Sequence, residues 1–260
     1  FMRVFKFGGA SIADAGRMAA LLPIIREEQK PLLLVLSALG KTTNALESIV
    51  NLAFTGKKDE AMALAKKLEQ EHLEYAKALL DDAHYIKAND ALKPLFAEFE
   101  QAVKNVDPAR SDYSYDQVVC MGELFSSCMF SFLLLQNNLP AVWIDIRRVI
   151  RTDDTYRDVA VDCDCSQKQA TTIIGKELQQ GEVVIMGFPV TKLSPNKRDD
   201  LRGGGIVYLA QGDMGLRNLS PTENIKRLLV DFDGYSWEDA ERLALEGLRV
   251  AQFPADRLHV

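Results

Sequence analysis

The sequence predicts an α/β fold, a three-layer sandwich whose central sheet is mostly parallel, with a helical excursion after the second strand. Three observations predict it. Short β-rich runs at residues 2–6, 31–36, 141–146 and 182–186 alternate with helical stretches, the pattern that folds into a parallel sheet between helices. The run at 31–36, PLLLVL, is wholly apolar, as a strand covered on both faces requires. Between about residues 44 and 137 the periodicity is helical almost throughout.

The first strand, residues 2–6, ends on Lys6, and Gly8, Gly9 and Ser11 follow. Lysine places a fixed positive charge at the strand end. The two glycines remove Cβ atoms that would keep a phosphate from the backbone N–H groups, and the helix after Ser11 turns its positive end inward. Residues 13–28 read as an amphipathic helix interrupted by Pro23, and the strand at 31–36 ends in a second loop, Ser37-Ala38-Leu39-Gly40. This is a βαβ unit, so both loops fall at the carboxyl edge of the sheet, where open α/β sheets bind ligands.

In the excursion, residues 57–81 and 90–106 repeat apolar positions at three- and four-residue steps, and their charges read as solvated faces. A third helix, residues 114–136, carries Glu123 among Gly122, Ser126, Ser127 and apolar neighbours. A carboxylate there is costly to bury unless it meets a cation or donor, which marks Glu123 as a candidate binding group. Residues 128–135, CMFSFLLL, read as a buried helix, being shorter than the roughly 18 residues of a membrane span.

The strand at 141–146 ends near Asp145, Arg147 and Arg148, and residues 152–158 form a charged loop. A helix at 166–178 and a strand at 182–186, closed by Gly187, follow. Residues 196–205 read as a polar, glycine-rich connection. Beyond it come short elements at 206–210 and 224–231, a helix at 237–247 capped by Ser236, and a strand at 250–253.

At 260 residues, 47% apolar and 26% charged, the chain has the composition of a globular domain with a sizeable core. A net charge of −6 with no basic face argues against nucleic acid as a partner. No membrane span and no signal peptide are read, so the expected location is the cytoplasm. Cys120 and Cys128 lie on one helical stretch, too far apart to bridge, and Cys163-x-Cys165 lacks a paired second half for zinc. His72, His84 and His259 are scattered on polar stretches, which disfavours a histidine triad or metal site.

Three separated motifs, in order, resemble those of aspartate kinases in the amino-acid kinase superfamily. Lys6-Phe7-Gly8-Gly9-Ala10-Ser11 resembles the opening KFGGTS loop, with Ala10 in place of threonine. Residues 37–44, SALGKTTN, resemble the second loop, and Gly122-Glu123-Leu124 with Ser126-Ser127 resembles the family's GE(x)xSS helix. Trp143-Ile144-Asp145, Thr152-Asp153 and the helix from Ser236 extend the likeness over most of the chain. The resemblance implies the amino-acid kinase (carbamate kinase-like) fold; residues 2–260 are expected to form a single domain of that kind, with no regulatory ACT domain. It implies transfer of the ATP γ-phosphoryl group to the side-chain carboxylate of L-aspartate, with Mg2+ riding on ATP. Lys6 would stabilise the transferred group, with Gly8, Gly9, Ser11 and Ser37 supplying donors. Thr42 and Thr43 would face the amino acid, Glu123 would pair with its ammonium group, and Arg202 would grip its carboxylate. Gly203, Gly204, Gly212 and Lys226 fall on the nucleotide side. A homodimer is the default oligomer.

Two departures set the alternatives. Where the family reads L-G-R-G-G-S-D-Y and opens a helix, this chain reads Leu201-Arg202-Gly203-Gly204-Gly205 and then Ile206, so the Ser-Asp pair and the helix are missing. Where the family has T-D-V-D-G, the chain reads Gln211-Gly212-Asp213-Met214-Gly215 after Ala210. The alternatives are a non-catalytic homologue that holds an amino acid or nucleotide, and a kinase for a different amino acid.

Overall fold

The computed structural model describes residues 3–157, 160–179 and 183–187. Strands β1 (Arg3–Phe7), β2 (Leu32–Leu36), β3 (Ala141–Trp143) and β4 (Val183–Gly187) form one parallel sheet in the order β1-β2-β4-β3. The register sets Phe7, Leu36 and Gly187 level at the carboxyl edge, with Lys6, Val35 and Met186 one step back.

The pleat sorts the apolar runs onto two faces. Leu32, Leu34 and Leu36 of β2 join Val183 and Ile185 of β4 in the larger core, while Leu33, Val35, Val184 and Met186 face a second cluster. The first face meets α1 (Ala15–Ala19), α2 (Leu22–Glu27), α3 (Thr42–Phe54), α4 (Lys58–Leu79), α5 (Asp82–Lys104), α6 (Ser111–Val119) and α7 (Met121–Gln136). On the second face α8 (Cys163–Gln179) packs through Ile174 with Ile144, Ile146 and Val149. Helices therefore cover both sides, which is why β2 carries no polar residue.

α7 is buried on nearly every side and lies against β2, β3 and β4. The helical path Pro108–Gln136 is long and apolar enough to cross a bilayer, yet 83% of its most apolar window is buried within the protein. Its apolarity is that of a core helix. The hydroxyls of Ser127 and Ser131 donate to the carbonyls of Glu123 and Cys128, each at 2.6 Å, so their polarity is satisfied within the helix.

Several sequence boundaries are corrected. Residues 13–28 are two short helices, because Pro23 has no N–H for the Ala19 carbonyl and sits in the first turn of α2. The helix expected at 90–106 begins at Asp82, since Asp81 caps it by accepting the His84 N–H at 2.8 Å. The helix expected at 114–136 starts at Ser111 and is interrupted at Cys120. The strand expected at 141–146 stops at Trp143, because the Asp145 carboxylate accepts the Arg147 N–H at 3.0 Å and starts a 3-10 turn. α8 begins three residues earlier than expected, at Cys163.

His72 is corrected too. It is a core residue, 2% exposed, with Nδ1 2.8 Å from the Leu68 carbonyl and its ring against Phe125. Burial lowers its pKa to about 4, so it is neutral at ordinary pH. All four cysteines are free thiols. The elements expected beyond Gly187 lie outside the described residues, as does His259.

Candidate active site

The two loops read from the sequence meet at the carboxyl edge of the sheet. Gly8 leads into a 3-10 turn, Gly9–Ile12, and Ser37 to Gly40 lead into α3. The Ser37 N–H donates to the Phe7 carbonyl at 3.0 Å, and the Gly40 N–H to the Gly9 carbonyl at 3.2 Å. A Cβ on Gly9 would lie 2.8 Å from the Ala38 carbonyl oxygen, so glycine is what lets the second loop lie on the first. The expectation that Gly9 merely clears space for phosphate is thus extended by a packing role. Gly8 is buried and Ser11 half-buried, with the Ser11 N–H donating to the Gly8 carbonyl at 3.0 Å.

The helix after the first loop does not aim its end as expected. α1 has only five residues, and its Arg17 N–H is already taken by the Asp14 carboxylate at 2.8 Å. The 3-10 turn separates it from the glycines.

α7 completes the site from the other side. A Cβ on Gly122 would meet the Ala38 Cβ at 2.9 Å, Leu46 Cδ1 at 3.0 Å and Thr42 Cγ2 at 3.2 Å. A Cβ on Gly187 would lie 2.7 Å from the Glu123 carbonyl oxygen. These two glycines seat the start of α7 against the second loop and against the end of β4. The Ser126 hydroxyl donates to the Ser37 carbonyl at 2.7 Å, in preference to the Glu123 carbonyl at 3.2 Å. Ser126 is wholly buried, so Ser126→Ala leaves that contact unmade and is expected to cost about 1–2 kcal/mol, read as a lower urea midpoint at unchanged m-value. Thr42, buried at the first position of α3, turns its methyl group to Gly122, and Thr43 beside it is half-buried.

Glu123 in the first turn of α7 is 5% exposed, and its Oε2 has no hydrogen-bond partner. Burial raises its carboxyl pKa to about 8, against the lowering effect of backbone N–H groups, including that of Ala38, and of the Lys6 charge. Burial likewise lowers the Lys6 pKa, and Glu123 only partly opposes this. Desolvation therefore outweighs the mutual attraction of the two groups. Each is poised to gain from a ligand of opposite charge, an anion for Lys6 and a cation for Glu123.

Lys6, Gly8, Gly9, Ser11, Ser37, Thr42, Thr43 and Glu123 all belong to this junction of β1, β2 and β4 with the starts of α3 and α7. Arg202, Gly203, Gly204, Gly212 and Lys226 lie outside the described residues. Sequence reasoning missed the packing role of Gly187 against Glu123. A glycine closing a buried strand was the available signal.

A family model described as the amino acid kinase family matches residues 2–203. Lysine-sensitive aspartokinase 3 of Escherichia coli K12 is 27% identical over 210 residues, covering 80% of this chain and 44% of that protein. The chloroplastic aspartokinase 1 of Arabidopsis thaliana is 30% identical over a 270-residue alignment, covering 95% of this chain and 46% of that protein. The crystal structure of E. coli aspartokinase III with lysine and aspartate matches at a TM-score of 0.62 and 26% identity, covering 70% of this chain and 40% of that one. The same enzyme with aspartate and ADP matches at 0.60 and 26%, covering 71% and 40%. The chain spans less than half the length of these relatives. Its parallel sheet, its helical layers and the match over residues 2–203 together place it in the amino acid kinase family, with aspartokinases as its relatives.

Proposed function

We propose that this chain is an aspartate kinase-type phosphotransferase that moves the γ-phosphoryl group of ATP to the side-chain carboxylate of L-aspartate. The observation that carries the proposal is the buried Glu123 carboxylate, its Oε2 unpartnered, within the electrostatic reach of Lys6 where two glycine-bearing loops meet. An ammonium group fits Glu123, and a phosphoryl group fits Lys6. An α-amino acid that accepts phosphate brings both.

Phosphoryl transfer needs little covalent help and much charge placement. A carboxylate oxygen of aspartate forms the new bond to the γ-phosphorus while the bond to the β–γ bridging oxygen breaks, and ADP leaves with that electron pair. No proton has to move. Lys6 neutralises charge on the transferred oxygens, and the N–H groups of Gly8 and Gly9 with the hydroxyls of Ser11 and Ser37 supply further donors. Thr43, with Thr42 behind it, flanks the amino acid, and Arg202 takes its α-carboxylate. Gly203, Gly204, Gly212 and Lys226 serve the nucleotide, and Mg2+ travels with the ATP phosphates and waters.

The pH dependence follows from Glu123. In the unfolded chain its carboxyl has a pKa of 4.5, and in the folded protein about 8. Between those values the unfolded chain has lost a proton that the ligand-free protein keeps, so stability falls as pH rises through this window and levels off above about 8. Aspartate binding runs the other way, because its ammonium group needs the ionised carboxylate. Affinity is expected to rise as pH climbs towards about 8. Glu123→Gln removes both slopes, which thermal melts and aspartate titrations across pH will read.

The direct test is ADP release that requires both Mg-ATP and L-aspartate. The absent Ser-Asp pair after Gly205 keeps a second reading in play, a homologue that binds without transferring. Thermal shift separates them, because a ligand at 100 times its Kd stabilises by about 2.7 kcal/mol. A shift with aspartate and none with Mg-ATP, together with no turnover, would reject the kinase in favour of the binder.

A further inference from the structure

Four carbonyl groups of the turn after β1 are tied back. The Gly8 carbonyl accepts from the Ser11 N–H at 3.0 Å and the Gly9 carbonyl from the Gly40 N–H at 3.2 Å. The Ala10 carbonyl accepts from Arg17 Nη1 at 2.9 Å, and the Ile12 carbonyl from the Tyr75 hydroxyl at 2.9 Å. Among the described residues, no acceptor takes the N–H groups of Gly8, Gly9 or Ala10. The turn thus has four of its acceptors bound and the donors of its first three residues uncommitted, the condition for an anion-binding concavity.

Of these four ties that of Tyr75 comes from farthest along the chain, 63 residues on, from α4 of the helical excursion. α4 packs against α1 beside the turn. Tyr75 is half-buried, and burial together with the nearby Asp14 charge pushes its phenol pKa up, so it stays protonated and can donate at any working pH. Arg17 is steered by Asp14, 3.2 Å from its Nε, but both are well exposed. The tie from α4 is the better shielded of the two side-chain ties.

We propose that Tyr75 is a positioning residue for phosphoryl transfer: its hydroxyl holds the Ile12 carbonyl and so keeps the N–H groups of Gly8, Gly9 and Ala10 directed at the nucleotide's terminal phosphate. The inference rests on the kinase reading above and gives the excursion a task at the site. It touches the reaction only through the backbone of the turn.

The test is Tyr75→Phe, which deletes one oxygen and keeps the ring, with Arg17→Gln as a companion that leaves the core untouched. In the wild type, titration with Mg-ADP and Mg-ATP is expected to move the backbone amide resonances of Gly8, Gly9 and Ala10. In Tyr75→Phe the nucleotide Kd from those resonances and the KM for ATP are expected to rise about three- to tenfold, as for loss of one neutral hydrogen bond, with the KM for aspartate unchanged. Arg17→Gln should move the same two constants in the same direction by less. A lower Tm for Tyr75→Phe with unaltered nucleotide Kd and KM would assign the hydroxyl a purely structural role and overturn the inference. Wild-type amides in the turn that ignore both nucleotides would overturn the phosphate-turn reading itself, and the inference with it.

Discussion

Lys6→Met is expected to lower kcat by about 100- to 1,000-fold while the protein keeps its fold, the cost typical of removing one preorganised group that meets charge developing in a transition state. Lys6 is on β1 in register with Val35, and Phe5 and Phe7 on either side pack against the larger core. Methionine fits the same strand position, so little stability should be lost. The ammonium group is already partly desolvated, and its pKa is held below that of an exposed lysine. A cation in that condition interacts more strongly with phosphoryl oxygens than one screened by water. Removing it should also push the Glu123 carboxyl higher still, because the Lys6 charge lowers it in the native protein. Steady-state assays with ATP and aspartate varied in turn, alongside a thermal melt, will read these effects. Activity within tenfold of wild type would remove Lys6 from the reaction.

The largest effect on stability is expected from Gly187→Ala. The new Cβ would lie 2.7 Å from the Glu123 carbonyl oxygen and 2.9 Å from its carbonyl carbon and Cβ. Two of those atoms are backbone, and that oxygen already accepts the Ser127 hydroxyl at 2.6 Å, so the start of α7 must move as a unit. Overpacking of this kind costs about 3 kcal/mol at the upper end of its range, equivalent to a Tm roughly 6–12 °C lower for a domain of this size. The displaced residue is Glu123 itself, so the KM for aspartate should rise in the same variant. A Tm within about 2 °C of wild type would show that β4 and α7 are not in contact at this point.

How far the site was legible varied by residue. Lys6, Gly8, Gly9 and Ser37 were readable because they end or follow two short strand-like runs, and a parallel βαβ unit brings both strand ends to one edge. Glu123 was readable because a carboxylate among small and apolar residues is costly, and it is indeed buried. His72 was misjudged. Its neighbours along α4 are charged, but one face of that helix is not, and His72 lies on that face with Ala65, Leu68 and Ala76. The break at Pro23 was visible and its consequence, two helices, was underestimated. Tyr75 could not be found at all, since nothing in its local sequence marks a hydroxyl that reaches a carbonyl 63 residues away.

By itself the amino-acid sequence determined the layer architecture, the two loops and the chemical character of their groups. Periodicity and glycine placement are local properties, and the chain obeys them wherever no distant contact intervenes. Only the tertiary structure decided which glycines are packing contacts, which carbonyls are tied back and which way the Lys6 and Glu123 pKa values move. Those outcomes depend on desolvation and on segments packed so closely that a Cβ added to the glycine would lie within 3 Å of its neighbour. Both are set by residues far apart along the chain.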